Sequence, residues 1–269
     1  MLSLKEVSKL LSSSRERRES GLFIVEGKKP VKEAFLIQGA VQGLFMTEAF
    51  AGSDEGIRLL SDRKEASIDV SVVSESSFRK VSGLVTPEGV MAVLSIDGIK
   101  RDLKERHQSL AERGFPLLFI EDLQDPGNLG TIIRSAEAAG VSKIVLSKES
   151  VDPFSPKVVR ATMGSIFRVP VKISESEEGF YELISKEKEE GYRFYAAALS
   201  GKRDYTDIIF GKKAAVLIGN EARGLSKKAL SFADERMLIP MDGAVESLNA
   251  AVAAAVILFE AKRQRGNQK

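Results

Sequence analysis

Three short stretches from residue 122 onward gather asparagine, glutamate, arginine and glycine at spacings that suit the handling of a polar ligand. The first runs from Asp122 to Arg134, DLQDPGNLGTIIR. Pro126 and Gly127 set a turn there, and the Asn128 side-chain oxygen can cap the helix that follows. Arg134 lies six residues beyond Asn128, nearly two helical turns away. From this stretch alone, a cap and a surface charge account for these two residues more readily than chemistry does. The second stretch, Ile218 to Ser226, reads IGNEARGLS and brackets Asn220, Glu221 and Arg223 between two glycines, directly after an apolar run. Glycines at a strand exit let the backbone approach a ligand closely. The third, Ile239 to Asn249, reads IPMDGAVESLN and runs straight into an apolar helix. Ser247 can cap that helix, and Asn249 falls in its first turn. Neither GNLG nor the IGNEARGLS loop fits the G-x-G-x-x-G dinucleotide fingerprint or the G-x-x-x-x-G-K-[ST] phosphate loop.

Composition narrows the remaining chemistry. There is no cysteine in 269 residues, which excludes disulfides, thiolate catalysis and zinc–thiolate sites. The single histidine, His107, sits in a highly charged segment and reads as a solvated helix residue. A Ser-His-Asp triad or a multi-histidine centre would need that one residue, so no metal site is expected. A net charge of +2 and a pI near 8.6 do not by themselves mark a nucleic-acid binder. Two local basic clusters can still meet phosphates: Arg15, Arg17 and Arg18, and Lys262, Arg263, Arg265 and Lys269. The most apolar stretch, Ser247 to Phe259, is thirteen residues long, against the roughly twenty needed to span a bilayer. The N-terminus, MLSLKEVSKLLSSSRERRES, lacks the apolar centre of a secretory signal. The expectation is a soluble cytoplasmic protein without a membrane partner.

Alternating strands and helices must position the three stretches. Leu2 to Leu11 and Pro30 to Gln38 have helical character, while LFIVEG, GLFMT, IDVSVVS and GVMAVLSI are strand candidates, with GIRLLSDRKEA and SSFRKVSG helical between them. These make a small α/β domain over residues 1–96. Residues 97–114, DGIKRDLKERHQSLAERG, are mostly charged and read as a linker that can be partly helical. Over 115–269 the strands PLLFIED, KIVLSK, RVPVKI, RFYAAALS, KAAVLIGN and RMLIPM alternate with helices at Leu129 to Ala139, Gly179 to Glu190 and Ser247 to about Gln264. That alternation implies a mostly parallel sheet covered on both faces. Such sheets bind ligands in loops beyond the carboxyl ends of their strands, where all three stretches fall.

Taken together, Asn128, Gly130 and Arg134 (N-x-G-x-x-x-R), Gly219 to Ser226 (G-N-E-x-x-G-[LV]-S) and Ile239 to Asn249 (I-P-M-x-G-x-x-x-S-L-N) resemble the three signatures of the SpoU (TrmH-like) RNA ribose 2′-O-methyltransferases, within the SPOUT superfamily. RERRESGLFIVEGKKPVKEAF and FRKVSGLVTPEGVMAVL are similar to the substrate RNA-binding domain that precedes the catalytic domain in the rRNA-directed branch.

The resemblance implies a deep trefoil knot in the C-terminal domain, formed by the second and third stretches, and a homodimer. It implies S-adenosylmethionine as methyl donor, with Gly219, Ile239 and Leu248 at cofactor-holding positions and Leu199 and Met241 lining the same pocket. Arg134 is the residue it assigns to the target hydroxyl. Asn128 and Asn249 then orient Arg134 or the ribose, Glu221 pairs with an arginine or accepts from a hydroxyl, and Ser247 fixes its loop. An arginine is nearly always protonated, so a literal general base is awkward. Either Arg134 loses its proton in an unusual setting, or it stabilises a developing alkoxide and a neighbouring phosphate while another group accepts the proton. Arg15, Arg17 and Arg18 become RNA contacts under the same implication. The N-terminal domain favours rRNA over tRNA as partner. A tRNA ribose methyltransferase and a non-catalytic RNA-binding assembly factor are the competing readings, and a small-molecule oxidoreductase is weakened by the missing fingerprint.

Overall fold

The computed structural model describes residues 2–61, 68–111, 116–244 and 247–266, without the side chains of 105–111. His107, Lys269 and the second half of the GIRLLSDRKEA helix therefore lie outside the described groups. In chain order the elements are α1 (Leu4–Ser12), α2 (Ser14–Ser20), β1 (Leu22–Glu26), α3 (Lys28–Ala34), β2 (Val41–Thr47), α4 (Glu48–Ala51), α5 (Asp54–Ser61), β3 (Asp69–Val73), α6 (Glu75–Val81), β4 (Val90–Ser95) and α7 (Ile96–Ala111). They continue with β5 (Leu117–Ile120), α8 (Pro126–Ala139), β6 (Lys143–Leu146), α9 (Pro156–Ala161), β7 (Val171–Ile173), α10 (Glu177–Glu189), β8 (Arg193–Ala197), β9 (Arg203–Asp204), β10 (Ala214–Ile218), α11 (Lys227–Phe232), β11 (Glu235–Leu238) and α12 (Ala250–Gly266).

The chain divides into two compact units, Met1–Glu105 with Phe154–Phe167, and Arg106–Pro153 with Arg168–Lys269. In the first, β1-β4-β2-β3 form a four-stranded sheet, antiparallel except for β2 and β3. Val7 and Leu10 of α1 and Phe78 of α6 cover the sheet side chains Ile24, Phe45, Met91 and Val93. A Ser3–Glu6 capping box starts α1, with the Ser3 N–H donating to the Glu6 carboxylate at 2.7 Å. The charged segment expected as a linker is α7, continuous to Ala111, and its first turns bury Ile99 and Leu103. Boundaries drawn at 96 and 115 also omit an excursion: Phe154–Phe167, between β6 and β7, belongs to this first unit, where Phe154 packs its ring 5.0 Å from that of Phe23.

The second unit is a seven-stranded parallel sheet of order β7-β6-β5-β10-β8-β11-β9. β5 and β10 are buried along their whole length, which is why they read as unbroken apolar runs rather than alternating ones. Phe119, Phe180 and Phe194 pack edge to face in its core. Two helices start differently from expectation. α8 begins at Pro126, preset for a first helical position, and its cap is Asp125, whose carboxylate accepts from the Asn128 N–H at 2.7 Å. α12 begins at Ala250, and Asn249 rather than Ser247 caps it, accepting from the Ala251 N–H at 2.9 Å. Asn128 thus sits inside its helix and Asn249 just before its own.

Candidate active site

Three adjacent parallel strands, β10, β8 and β11, end on the same side of the sheet. Their carboxyl ends surround a cavity of about 370 Å³. Ala197–Ser200 end and follow β8, Ile218–Leu225 end and follow β10, and Leu238, Ile239 and Met241 end and follow β11. Ser247, Leu248 and the α12 residues Ala250, Ala253 and Ile257 close it. All five residues expected at cofactor positions, Leu199, Gly219, Ile239, Met241 and Leu248, line this one cavity. Gly219 has no alternative side chain. A Cβ there would stand 2.2 Å from the Gly224 carbonyl carbon and 2.3 Å from the Leu225 nitrogen, so two turns of main chain meet face to face. The loop closes on itself through the Asn220 and Gly224 backbones, at 3.1 and 2.9 Å.

At the edge of the cavity the three sequence stretches are wired together. The Asn249 amide donates to the Asn128 carbonyl oxygen at 2.9 Å, and the Asn128 amide donates to Glu221 Oε1 at 3.1 Å. Glu221 also accepts from the Asp125 N–H at 2.9 Å and the Gln124 N–H at 3.2 Å. Burial pushes its carboxyl up. The N–H groups of Asp125, of Glu221 itself, of the Asn128 side chain and of Gln124 outweigh that effect and hold it below its ordinary value. Glu221 is therefore an acceptor already filled with N–H donors, and a poor proton acceptor for a substrate.

Arg134 lies on α8 downstream of Asn128, exposed to solvent, and no other described residue holds its guanidinium. It is a cation at liberty to meet an incoming anion. Ser247 lines the cavity without the capping role. Among the basic clusters, Arg15 and Arg18 are exposed, with Arg15 paired to Glu19 at 2.7 Å. Arg17 departs from expectation: only 4% of it is exposed, and it points inward to donate to the Leu10 carbonyl. Its long stem and fixed charge tie α2 to α1 and leave nothing for a phosphate. The described residues of the C-terminal cluster are likewise engaged. Lys262 donates to the Ala138 carbonyl at 2.8 Å, Arg265 to that of Ala139 at 2.7 Å, and Arg263 pairs with Glu260 at 2.7 Å.

Two residues went unmarked in the sequence. Asp122 adopts φ +53°, uncommon for a non-glycine, and is held by Ser147, whose hydroxyl donates to its carboxylate at 2.7 Å and accepts from its N–H at 2.8 Å. Its carbonyl accepts from the Asn220 side chain at 2.8 Å. Glu121 is buried and bonded to Tyr181 and Ser226. An acidic pair ending an apolar strand was the only available signal, and it does not say which partners each residue finds.

Comparison with known proteins agrees with this geometry. The profile of the SpoU rRNA Methylase family matches residues 116–259, and that of an MRM3-like substrate binding domain matches residues 3–92. The chain is 33% identical over 251 residues to 23S rRNA (guanosine(2553)-2′-O)-methyltransferase RlmP of Bacillus subtilis, covering 93% of this chain and 92% of that one. It is 32% identical to the mitochondrial rRNA methyltransferase 3 of Mus musculus, over 97% of this chain and 72% of the relative. Among solved structures, the SpoU methyltransferase AviRb from Streptomyces viridochromogenes, in complex with the cofactor AdoMet, superposes with a TM-score of 0.85 at 28% identity, covering 97% of each chain. The motif-bearing loops, their convergence and these likenesses agree: the chain belongs to the SpoU rRNA methylase family.

Proposed function

We propose that this protein is an RNA methyltransferase that transfers a methyl group from S-adenosylmethionine to a ribose 2′-hydroxyl of ribosomal RNA, acting in the cytoplasm as a homodimer. The relay from Asn249 through Asn128 to Glu221 carries the proposal, because it draws the three motif loops to the rim of a single cavity. The residues fit the cofactor. The cavity lies within the range of about 300–1,000 Å³ typical of small-molecule sites. Leu199, Ile239, Met241 and Leu248 offer apolar walls for an adenine, and the backbone groups around Gly219 offer donors and acceptors for its edge. When bound, S-adenosylmethionine supplies a methyl group already activated on a sulfonium.

The chain's own residues then have to align a hydroxyl and manage its proton. Arg134 is assigned to the RNA: its unclaimed guanidinium can bind a phosphate oxygen and stabilise negative charge growing on the ribose oxygen. Asn128 and Asn249 hold the start of α8, and with it Arg134, in register with the cavity. Glu221 fixes the Gln124–Asp125 turn rather than taking the proton.

Two further features belong to the same reading. The strand order inserts β10 between β5 and β8, and β11 between β8 and β9, an interleaving of late strands with early ones that a knotted C-terminus requires. α12 is apolar on every side from Ala250 to Phe259 and leaves Val252 and Phe259 exposed, a face suited to a second copy. The division of labour follows the family profiles: residues 3–92 take the RNA, through Arg15 and Arg18 among others, and 116–259 carry the chemistry. Nucleotide-resolution mapping of ribose methylation, in cells with and without the gene, tests the proposal. One rRNA 2′-O-methyl mark should vanish and return with the wild-type chain, but not with Arg134→Ala. Restoration by Arg134→Ala would remove that residue from the mechanism, and a mark lost from tRNA instead would reassign the substrate.

A further inference from the structure

Glu121 follows β5 directly and is buried, yet among the described residues no lysine or arginine pairs with it. A carboxylate in that position is costly unless hydrogen bonds satisfy it. Three do. Oε1 accepts from the Tyr181 hydroxyl at 2.6 Å and the Ser226 hydroxyl at 2.8 Å, and Oε2 accepts from the Ser226 N–H at 2.7 Å. Burial, reinforced by the bond to Glu121, pushes the Tyr181 phenol up to about 12, so it remains a donor throughout the working pH range. The Tyr181 ring is stacked on Phe232 at 5.5 Å, and its hydroxyl has little freedom to wander.

Ser226 is thereby gripped at both its hydroxyl and its amide. It also caps α11, accepting from the Ala229 N–H at 3.0 Å. Immediately before it stand Gly224 and Leu225, the two residues against which Gly219 closes. Any shift of Ser226 moves Gly224 and Leu225, and the tight backbone contact passes that shift to Gly219 and Asn220. Neither Glu121 nor Tyr181 lines the cavity.

We propose that Glu121 is a positioning residue which, braced by Tyr181 and acting through Ser226, sets the cavity wall from Gly219 to Leu225 and so tunes cofactor affinity. The inference rests on reading that cavity as the S-adenosylmethionine site. Its test is titration calorimetry of the full-length protein with S-adenosylmethionine, alongside thermal melts. Glu121→Ala leaves the Ser226 N–H and two hydroxyls without their acceptor and should weaken binding by about tenfold or more at a temperature where the variant is folded. Glu121→Gln should rescue to within about threefold, because an amide oxygen still accepts from Ser226 N–H while both hydroxyls turn to accept from the NH₂. Tyr181→Phe keeps the stacked ring, removes one donor, and should weaken binding by about two- to tenfold. It decides the matter if Glu121→Ala does not fold. A merely structural role would lower melting temperatures and leave affinity untouched in every folded variant, which would overturn this inference while the cavity reading stood. A wild-type protein giving no heat with S-adenosylmethionine would overturn both.

Discussion

Asn128 has both ends of its side-chain amide in use, and its backbone N–H is committed to Asp125. The sequence suggested a cap there because an asparagine follows a Pro-Gly turn, but α8 starts earlier, at Pro126, and Asp125 caps it by accepting from the Asn128 N–H. α12 in turn starts later than expected, at Ala250, which makes Asn249 the cap in place of Ser247. What was legible was that polar residues of the right type open two helices near strand exits. Which residue reaches across depends on groups more than ninety residues away, and no local window contains them. Glu221 yields a prediction at this scale. Its folded-state pKa is depressed, so its contribution to stability is complete above its ordinary value of 4.5 and fades as pH falls through the lower folded value. The melting temperature of Glu221→Gln should therefore lie below wild type at pH 7, with the gap closing as the solution is acidified below pH 4.5. A gap independent of pH would mean that the carboxylate charge is not what holds the turn.

α8 is the element on which catalysis would turn, and it is tied at both ends. Glu221 and Asp125 hold its first turn, while Lys262 and Arg265 of α12 place positive charge on the carbonyls of its last. Cations at a helix C-terminus oppose its partial negative charge and are worth about 0.3–1 kcal/mol each. The C-terminal basic residues were visible as charge, but their task was not, because it requires the end of α8 to lie alongside. Lys262→Ala should accordingly cost about 0.5–1 kcal/mol in urea unfolding and leave RNA affinity unchanged. Weakened RNA binding with intact stability would return this residue to the role first expected of it. Among strands, the long buried runs were easily read. β9 was not, since two residues, Arg203 and Asp204, carry no period and become a strand only by pairing with β11.

For the molecule as a whole, the α/β class, the parallel catalytic sheet and the N-terminal α/β unit were accessible from alternation alone. The strand order was not, because periodicity says nothing of which strand lies beside which. The exposed apolar residues of α12 carry a prediction at this scale. In sedimentation analysis the wild-type chain should run as a dimer, and Val252→Lys combined with Phe259→Lys should shift it to a monomer without lowering helix content. Dimers that persist in the double variant would place the interface elsewhere.

The excursion of Phe154–Phe167 into the N-terminal unit has a bearing on how the protein is made. When Glu105 has been synthesised, every strand of the first sheet exists, yet the ring that packs on Phe23 is still some fifty codons away. At about 5–20 residues per second, a ribosome leaves the nascent first half waiting for several seconds, with an aromatic face uncovered. The order of translation thus runs against the order of packing. Part of the first unit's packing therefore waits on residues made about fifty positions after Glu105.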